Sequence, residues 1–143
     1  SRVRNGGFFY VRNGEAFVDS ESSPRYTQFN SQTLLSGIND GKINSSLVRA
    51  SHGKKRTYRT LIGQTRAGDI VFIASGRTGL VTISEILDIA IDNGVHDGIL
   101  LDGGSSVDYM FGRERFKSVP SFVKEVMGIE EPKAYIYGNF SDI

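Results

Sequence analysis

Short apolar runs separated by polar, glycine-containing segments recur along the 143-residue chain. Residues 8–11 and 15–18 have strand composition and flank Arg12-Asn13-Gly14, where Asn-Gly favours positive φ, so the pattern predicts a β-hairpin. Four consecutive apolar residues from Ile70 to Ile73 predict a strand over residues 68–74 that is buried on both faces. Residues 98–101 predict another strand. Residues 120–127 and 134–137 predict two more strands, or a strand and a short helix.

The helical period is clearest after the central strand. Thr82 and Glu85 have the spacing of a capping box. The apolar residues that follow recur at helical spacing, and they are Ile83, Ile86, Leu87, Ala90 and Ile91. Asn93-Gly94 provides residues that accept the left-handed conformation at a helix C-terminus. The pattern therefore predicts one main helix, from Thr82 to Asn93, packed against the strand over residues 98–101.

A long polar segment separates the hairpin from the central strand. Residues 19–56 are rich in Ser, Asn and Gly, with one weakly helical stretch near residues 32–39, and they predict a long loop of the kind that often acts as a lid or a binding loop. No linker composition divides the chain. We therefore expect an α+β fold in which residues 1–143 form a single domain, with a mixed β-sheet packed against the main helix.

Charge and cysteine content exclude several classes of protein. Seventeen Lys and Arg against sixteen Asp and Glu leave a net charge of +1, without the basic block of a duplex-DNA binder, so no nucleic-acid partner is predicted. The densest basic stretch, Lys54, Lys55, Arg56 and Arg59, could meet a phosphate or a polyanion but is more typical of a solvated loop. The absence of cysteine excludes disulfides and thiolate metal sites. No apolar run reaches the roughly 20 residues that span a bilayer.

Four segments, in this order along the chain, resemble the phosphodiester glycosidase family. They are Asn5-Gly6-Gly7-Phe8-Phe9, then Arg59-Thr60 with Gly63, then Gly76-Arg77, and finally Leu101-Asp102-Gly103-Gly104-Ser105-Ser106. Each motif alone is common in loops and turns, but the ordered set is specific. The similarity extends from Asn5 to about Tyr109. It implies a hydrolase that cleaves the glycosidic bond of a sugar 1-phosphodiester, such as a GlcNAc 1-phosphodiester.

The resemblance implies a role for each matched residue. Asp102, held at the end of a buried strand, is the first candidate for a catalytic carboxylate, and a turn-forming role is its alternative. Glu85 is the second candidate, although the capping box already explains it. Arg59 and Arg77 match phosphate oxygens with their guanidinium groups. The remaining predicted substrate-binding residues are Asn5, Gly6, Thr60, Gly103, Gly104, Ser105 and Ser106, with the Gly-Ser run forming an anion-binding nest.

Other chemistries have weaker support in the sequence. A serine nucleophile needs a base, and neither histidine, His52 or His96, has motif context. No metal or cofactor is assigned, although Asp102, Asp108 and Glu85 leave open an oxygen site for a divalent cation. The predicted partner is a small-molecule or glycan phosphodiester. Oligomeric state, substrate sugar and stereochemical course are not predicted.

Two alternatives to the glycosidase stay open. One is a non-catalytic carbohydrate- or phosphate-binding module of a phage or cell-surface assembly. The other, a phosphodiesterase that cleaves P–O bonds, ranks last because it usually needs a two-metal cluster of carboxylates and histidines. Family domains commonly begin with additional strands before the Asn-Gly-Gly segment, so we expect a fragment or a processed product. The resemblance also suggests a secreted, cell-envelope or phage-associated protein.

Overall fold

An antiparallel sheet with three short helices makes up the computed structural model, which describes residues 6–20, 34–75, 80–101, 103, 108–111, 114–117 and 134–139. The strands are β1 (Gly6–Arg12), β2 (Glu15–Ser20), β3 (Leu34–Asn39), β4 (Lys42–Ile43), β5 (Thr60–Thr65), β6 (Ile70–Ser75), β7 (Val95–Leu100), β8 (Asp108–Phe111), β9 (Glu114–Lys117) and β10 (Ala134–Asn139). The helices are α1 (Ser45–Arg49), α2 (Ser51–Lys54) and α3 (Ile83–Asp92). The predicted α+β class is thus present in a form dominated by the sheet.

Two tight hairpins shape one side of the sheet. The predicted hairpin of β1 and β2 is confirmed, and Asn13 and Gly14 at its tip have φ of 51° and 78°. Two consecutive positive φ angles define the turn whose twist matches that of the flanking strands. Asp40 and Gly41 repeat the arrangement between β3 and β4, with φ of 52° and 75°.

The larger sheet has eight strands, in the order β10-β6-β5-β7-β3-β1-β2 with β4 beside β3, while β8 and β9 pair separately. The prediction of a mixed sheet is wrong for the described strands, because every pairing among them is antiparallel. β6 and β7 are joined through α3 and run in the same direction, as in a β-α-β unit. They do not pair, however, because β5 lies between them.

The predicted loop over residues 19–56 is also corrected. It contains β3, β4, α1 and α2, and the stretch expected to be weakly helical includes β3. Leu35, Ser36 and Ile38 pair with β7, and Ile38 is buried. Long-range pairing with a buried strand therefore decides the conformation of a segment whose local composition favours a loop. The predicted segment over residues 120–127 lies outside the described residues.

The predicted helix is present as α3. Its capping box is complete: the Thr82 hydroxyl accepts from the Glu85 amide at 3.1 Å, and Glu85 Oε1 accepts from the Thr82 amide at 2.9 Å. Two shorter helices, α1 and α2, accompany α3, so the prediction of one main helix was incomplete. The contacts of α3 with β6 and β7 agree with the predicted packing of helix on strand.

The sheet is buried on both faces near its centre. On one face, α3 contributes Ile83, Ile86, Leu87 and Ala90 to a cluster that includes Leu61 and Ile73. On the other face, Val18 of β2 packs with Ile70 and Ile99. The sheet therefore curls into a half-barrel, with β2 contacting β5 and β7 across this second core.

Gln64 joins the edge strand β2 to the middle of the sheet. This side chain is 8% exposed, and its Oε1 accepts from the Val18 amide at 3.0 Å. Its Nε2 donates to the carbonyls of Ala16 at 2.9 Å and Gly68 at 3.1 Å. The Gln64 amide thus bonds the edge of β2 as a neighbouring strand would, which satisfies backbone groups that would otherwise be buried without partners.

Replacing Gln64 with Met keeps the length of the side chain and removes the amide. We expect Gln64→Met to lower the free energy of unfolding by about 2–4 kcal/mol, because it leaves at least one buried amide and one carbonyl unsatisfied. Urea denaturation followed by circular dichroism measures this loss. A change below about 0.5 kcal/mol would show that these bonds do not hold the hairpin against the sheet.

Candidate functional site

One end of the sheet gathers segments that carry the family-like motifs. The N-terminus of β5 lies beside the C-terminus of β7, and the Leu101 amide donates to the Thr60 carbonyl at 3.0 Å. Leu100 pairs with Leu35 of β3, which in turn pairs with Gly6 of β1. Gly6, Thr60 and Leu101, from the first, second and fourth motifs, therefore lie along the same end, while Gly63 lies further along β5 opposite Gly98.

The third motif begins where β6 reaches this end. The Ser75 amide donates to the Arg59 carbonyl at 2.8 Å, and the Arg59 amide donates to Ser75 Oγ at 2.6 Å. Ser75 is fully buried, and Gly76-Arg77 follows it directly in the sequence. Together with a longer bond from Ser75 Oγ to the Arg59 carbonyl at 3.3 Å, these contacts fix the residue that directly precedes the third motif.

Five of the eleven predicted site residues are among the described residues, and four of them lie on the strands or strand ends at this site. These five are Gly6, Arg59, Thr60, Glu85 and Gly103. The other predicted residues lie outside the described part of the chain, and they are Asn5, Arg77, Asp102, Gly104, Ser105 and Ser106.

The Arg59 side chain is turned towards the protein backbone. Its Nε donates to the Val81 carbonyl at 3.0 Å, and its Nη2 donates to the carbonyls of His52 and Lys55, both at 2.8 Å. Burial lowers the pKa of this guanidinium from its ordinary value. Arg59 therefore links the start of β5 to α2 and to the segment before α3.

Gly103 approaches the backbone closely at the same place. A Cβ atom at this position would lie 2.9 Å from the Tyr58 carbonyl oxygen and 3.9 Å from Arg59 Cγ. The first distance is shorter than side-chain carbons normally allow, so glycine lets this segment lie directly against residues 58 and 59. Tyr58 itself is fully buried, and burial raises the pKa of its phenol.

Glu85 is held at the first turn of α3. Besides its capping bond, both carboxylate oxygens accept from Arg56 Nη1, at 2.7 and 2.8 Å. Burial acts to raise the pKa of this carboxyl, but the hydrogen bonds from Thr82 and Arg56 outweigh burial and lower the pKa below its ordinary value. Glu85 is therefore ionised at neutral pH, a state suited to a base or an electrostatic partner rather than a proton donor.

The sequence did not identify Arg56 or Ser75 as parts of this region. Arg56 belongs to the basic run, in which no local feature separates the residue that pairs with Glu85 from its neighbours. Ser75 follows the central strand as an ordinary strand-terminating residue. Their partners lie 29 and 16 residues away, so only the tertiary fold reveals these contacts.

A second polar region lies at the opposite end of the sheet. An open groove of about 460 Å³ is lined by Asp40, Arg66, His96 and Asp97, among others. His96 Nε2 lies 2.7 Å from Asp40 Oδ1, and Asp97 Oδ1 accepts from the Asp40 amide at 3.0 Å. These bonds attach the β3–β4 turn to β7, which gives His96 a structural role.

Two features relevant to partners and metals are absent from the described residues. No helix in this part of the chain is long and apolar enough to cross a membrane. Within the same residues, no group of three or more His, Cys, Asp or Glu side chains is arranged to hold a metal ion. Asp102, one of the three residues of the oxygen site left open by the sequence, lies outside them.

The lowered pKa of Glu85 predicts a pH-dependent contribution to stability. Because the folded-state pKa is below the ordinary value of 4.5, this contribution is present above pH 4.5 and disappears as the pH falls through the folded-state pKa. We expect Glu85→Gln to cost about 0.5–1.5 kcal/mol at pH 7 and progressively less below pH 4.5. Asp88→Asn, an exposed substitution on the same helix, is the control. An equal cost at pH 7 and pH 3 in denaturant titrations would contradict the assignment.

Comparisons with known proteins support one family. No curated protein matches the chain, and no solved structure matches it. The family model described as phosphodiester glycosidase matches residues 2–132, which is most of the 143 residues and includes all four motifs. The resemblance stated from the motifs is therefore confirmed, and the chain belongs to the phosphodiester glycosidase family.

Proposed function

We propose that this protein hydrolyses the glycosidic bond of a sugar 1-phosphodiester at the sheet end where β1, β5, β6 and β7 meet. The observation that supports the proposal is the meeting of motif-bearing segments at this end, through the bond between Leu101 and Thr60 and the bonds between Ser75 and Arg59. Asn5, Arg77 and Asp102 each lie within two residues of a described residue at this end. A GlcNAc 1-phosphodiester is the substrate that we propose.

In this proposal Asp102 is the catalytic carboxylate. Cleavage at the anomeric carbon passes through an oxocarbenium-like state, which a carboxylate stabilises or attacks. The leaving group is a phosphate monoester, which is a better leaving group than an alkoxide. Stabilisation of the negative charge on the departing phosphate therefore matters more than a strong general acid, and we assign this stabilisation to Arg77.

The other matched residues support these two. Gly103, Gly104, Ser105 and Ser106 supply amides and hydroxyls to phosphate or sugar oxygens, and Asn5, Gly6 and Thr60 line the sugar side. We keep Glu85 as the second catalytic carboxylate, because its ionised state fits a base. Arg59 donates Nε and Nη2 to protein carbonyls, so any bond to phosphate would come from Nη1.

A non-catalytic glycan- or phosphate-binding module is the second candidate. One observation favours it: the two predicted site side chains with described polar contacts, Arg59 and Glu85, both bond extensively within the protein. A site that kept the family fold and lost turnover would retain such structural bonds. A measurement of turnover therefore distinguishes the glycosidase from the binding module.

The test is release of free sugar from a panel of sugar 1-phosphodiesters, including one with GlcNAc. We expect Asp102→Asn and Arg77→Ala each to reduce kcat/KM by at least about 100-fold, because they remove a reacting carboxylate and a phosphate-binding charge. Asp97→Asn and Arg66→Ala are the matched controls, since they remove the same charges at the opposite end of the sheet. They should leave release unchanged.

Foldedness of each variant is checked by its unfolding midpoint before rates are compared. Release that is insensitive to Asp102→Asn would remove Asp102 from the mechanism. Absence of release from every substrate by the folded wild-type chain would favour the binding module.

A further inference from the structure

Positive charge is concentrated in one part of the chain. Residues 41–68 contain seven of the seventeen Lys and Arg and none of the sixteen Asp and Glu, so this stretch carries +7 and the remaining chain carries −6. A net charge of +1 therefore conceals a strong asymmetry. Within this stretch, Lys54, Lys55 and Arg56 are consecutive and exposed.

Arg59 fixes this basic segment next to the proposed site. Its Nη2 bonds the carbonyls of His52 and Lys55, while its Cγ lies 3.9 Å from the position of a Cβ on Gly103. The Arg59 side chain thus lies between the backbone of Lys55 and Gly103, the first residue of the Gly-Ser run. The lysine segment therefore borders the proposed site, and its charges attract anions over a range set by the Debye length of about 8 Å at physiological ionic strength.

The three consecutive cations have different surroundings. Arg56 is neutralised by its ion pair with Glu85, at 2.7 Å. Lys54 and Lys55 have no ion pair with an acidic side chain among the described residues, and both are exposed. Lysine side chains are long and flexible, and their compact ammonium groups attract anions as point charges without fixed geometry.

We propose that Lys54 and Lys55 form an aglycone subsite that favours sugar 1-phosphodiesters whose aglycone carries further negative charge, such as a second phosphate. This inference rests on the proposed function, because it assigns the substrate class of the same site. The first phosphate belongs to the site of Arg77 and the Gly-Ser run, and the lysines attract the charge beyond it. The hydrogen bonds from Arg59 to the carbonyls of His52 and Lys55 hold the lysine segment in place.

The test compares two GlcNAc 1-phosphodiesters, one with a methyl aglycone and one with a 2-phosphoethyl aglycone. We expect the wild-type protein to have the higher kcat/KM on the charged substrate, with a preference that falls as salt rises from 50 to 500 mM. Lys54→Ala with Lys55→Ala should reduce the ratio of the two kcat/KM values by about 3- to 30-fold. Arg12→Ala with Lys42→Ala removes the same charge at exposed positions on β1 and β4 and should leave the ratio unchanged.

A binding measurement separates failure of this inference from failure of the proposed function. Calorimetry with 1,2-ethanediol bisphosphate, which carries two phosphates without the sugar, needs no turnover. Weaker binding by the lysine variant alone, with no sugar release by any protein, would retain the subsite and reject the glycosidase. Equal kcat/KM ratios in the lysine variant and the wild type, or equal dissociation constants where there is no turnover, would overturn the inference.

Discussion

Antiparallel pairing of β5 on both of its edges is the constraint on which the rest of this structure depends. Leu61 pairs with Ile73 on one side and with Leu100 on the other, so the start of β5 lies between the ends of β6 and β7. Antiparallel ladders allow no other arrangement of these ends. Segments that are far apart in sequence therefore enter the same region, although the helix α3 and a full crossover separate β6 from β7.

Polar side chains stabilise the two ends of this arrangement in similar ways. Gln64 binds the edge of β2 through backbone groups and holds the β1–β2 hairpin against the second core. Arg59 binds three carbonyls and holds α2 and the start of α3 beside the strand ends. Both residues supply side-chain hydrogen bonds to backbone groups outside the regular ladder of the larger sheet, such as the Val18 amide on the edge of β2 and the carbonyls of His52 and Lys55. The half-barrel and the candidate site thus rely on individual polar residues as well as on apolar packing.

The sequence predicted those elements whose conformation is determined by residues close together in the chain. The Asn13-Gly14 turn, the apolar run from Ile70 to Ile73 and the capping box of Thr82 and Glu85 each contain their physical cause within a few residues. β3 could not be predicted in the same way, because Ser36, Gly37 and Asn39 are weak strand formers. Its pairing with β7 joins residues about 60 positions apart. The antiparallel character of the sheet was missed for the same reason.

The candidate site was likewise predictable only in part. Its motifs could be recognised from the sequence, because the order of glycine and acidic residues after the strands is characteristic. The orientation of side chains could not, as Arg59 illustrates: its carbonyl partners lie 4, 7 and 22 residues away, two of them in or directly after α2 and the third in the segment before α3. The same holds for the pairing of Arg56 with Glu85, which distinguishes one basic residue from its exposed neighbours.

The central claim is that ligand binds at the end of the sheet where these strands meet. Amide chemical shifts of the labelled protein, titrated with GlcNAc 1-phosphate, test this directly. The account predicts that perturbations concentrate at Gly6, Thr60, Ser75, Leu101 and Gly103, with none at Asp40, Arg66 and His96 in the opposite groove. Perturbations confined to that groove, or none at any concentration up to millimolar, would contradict it.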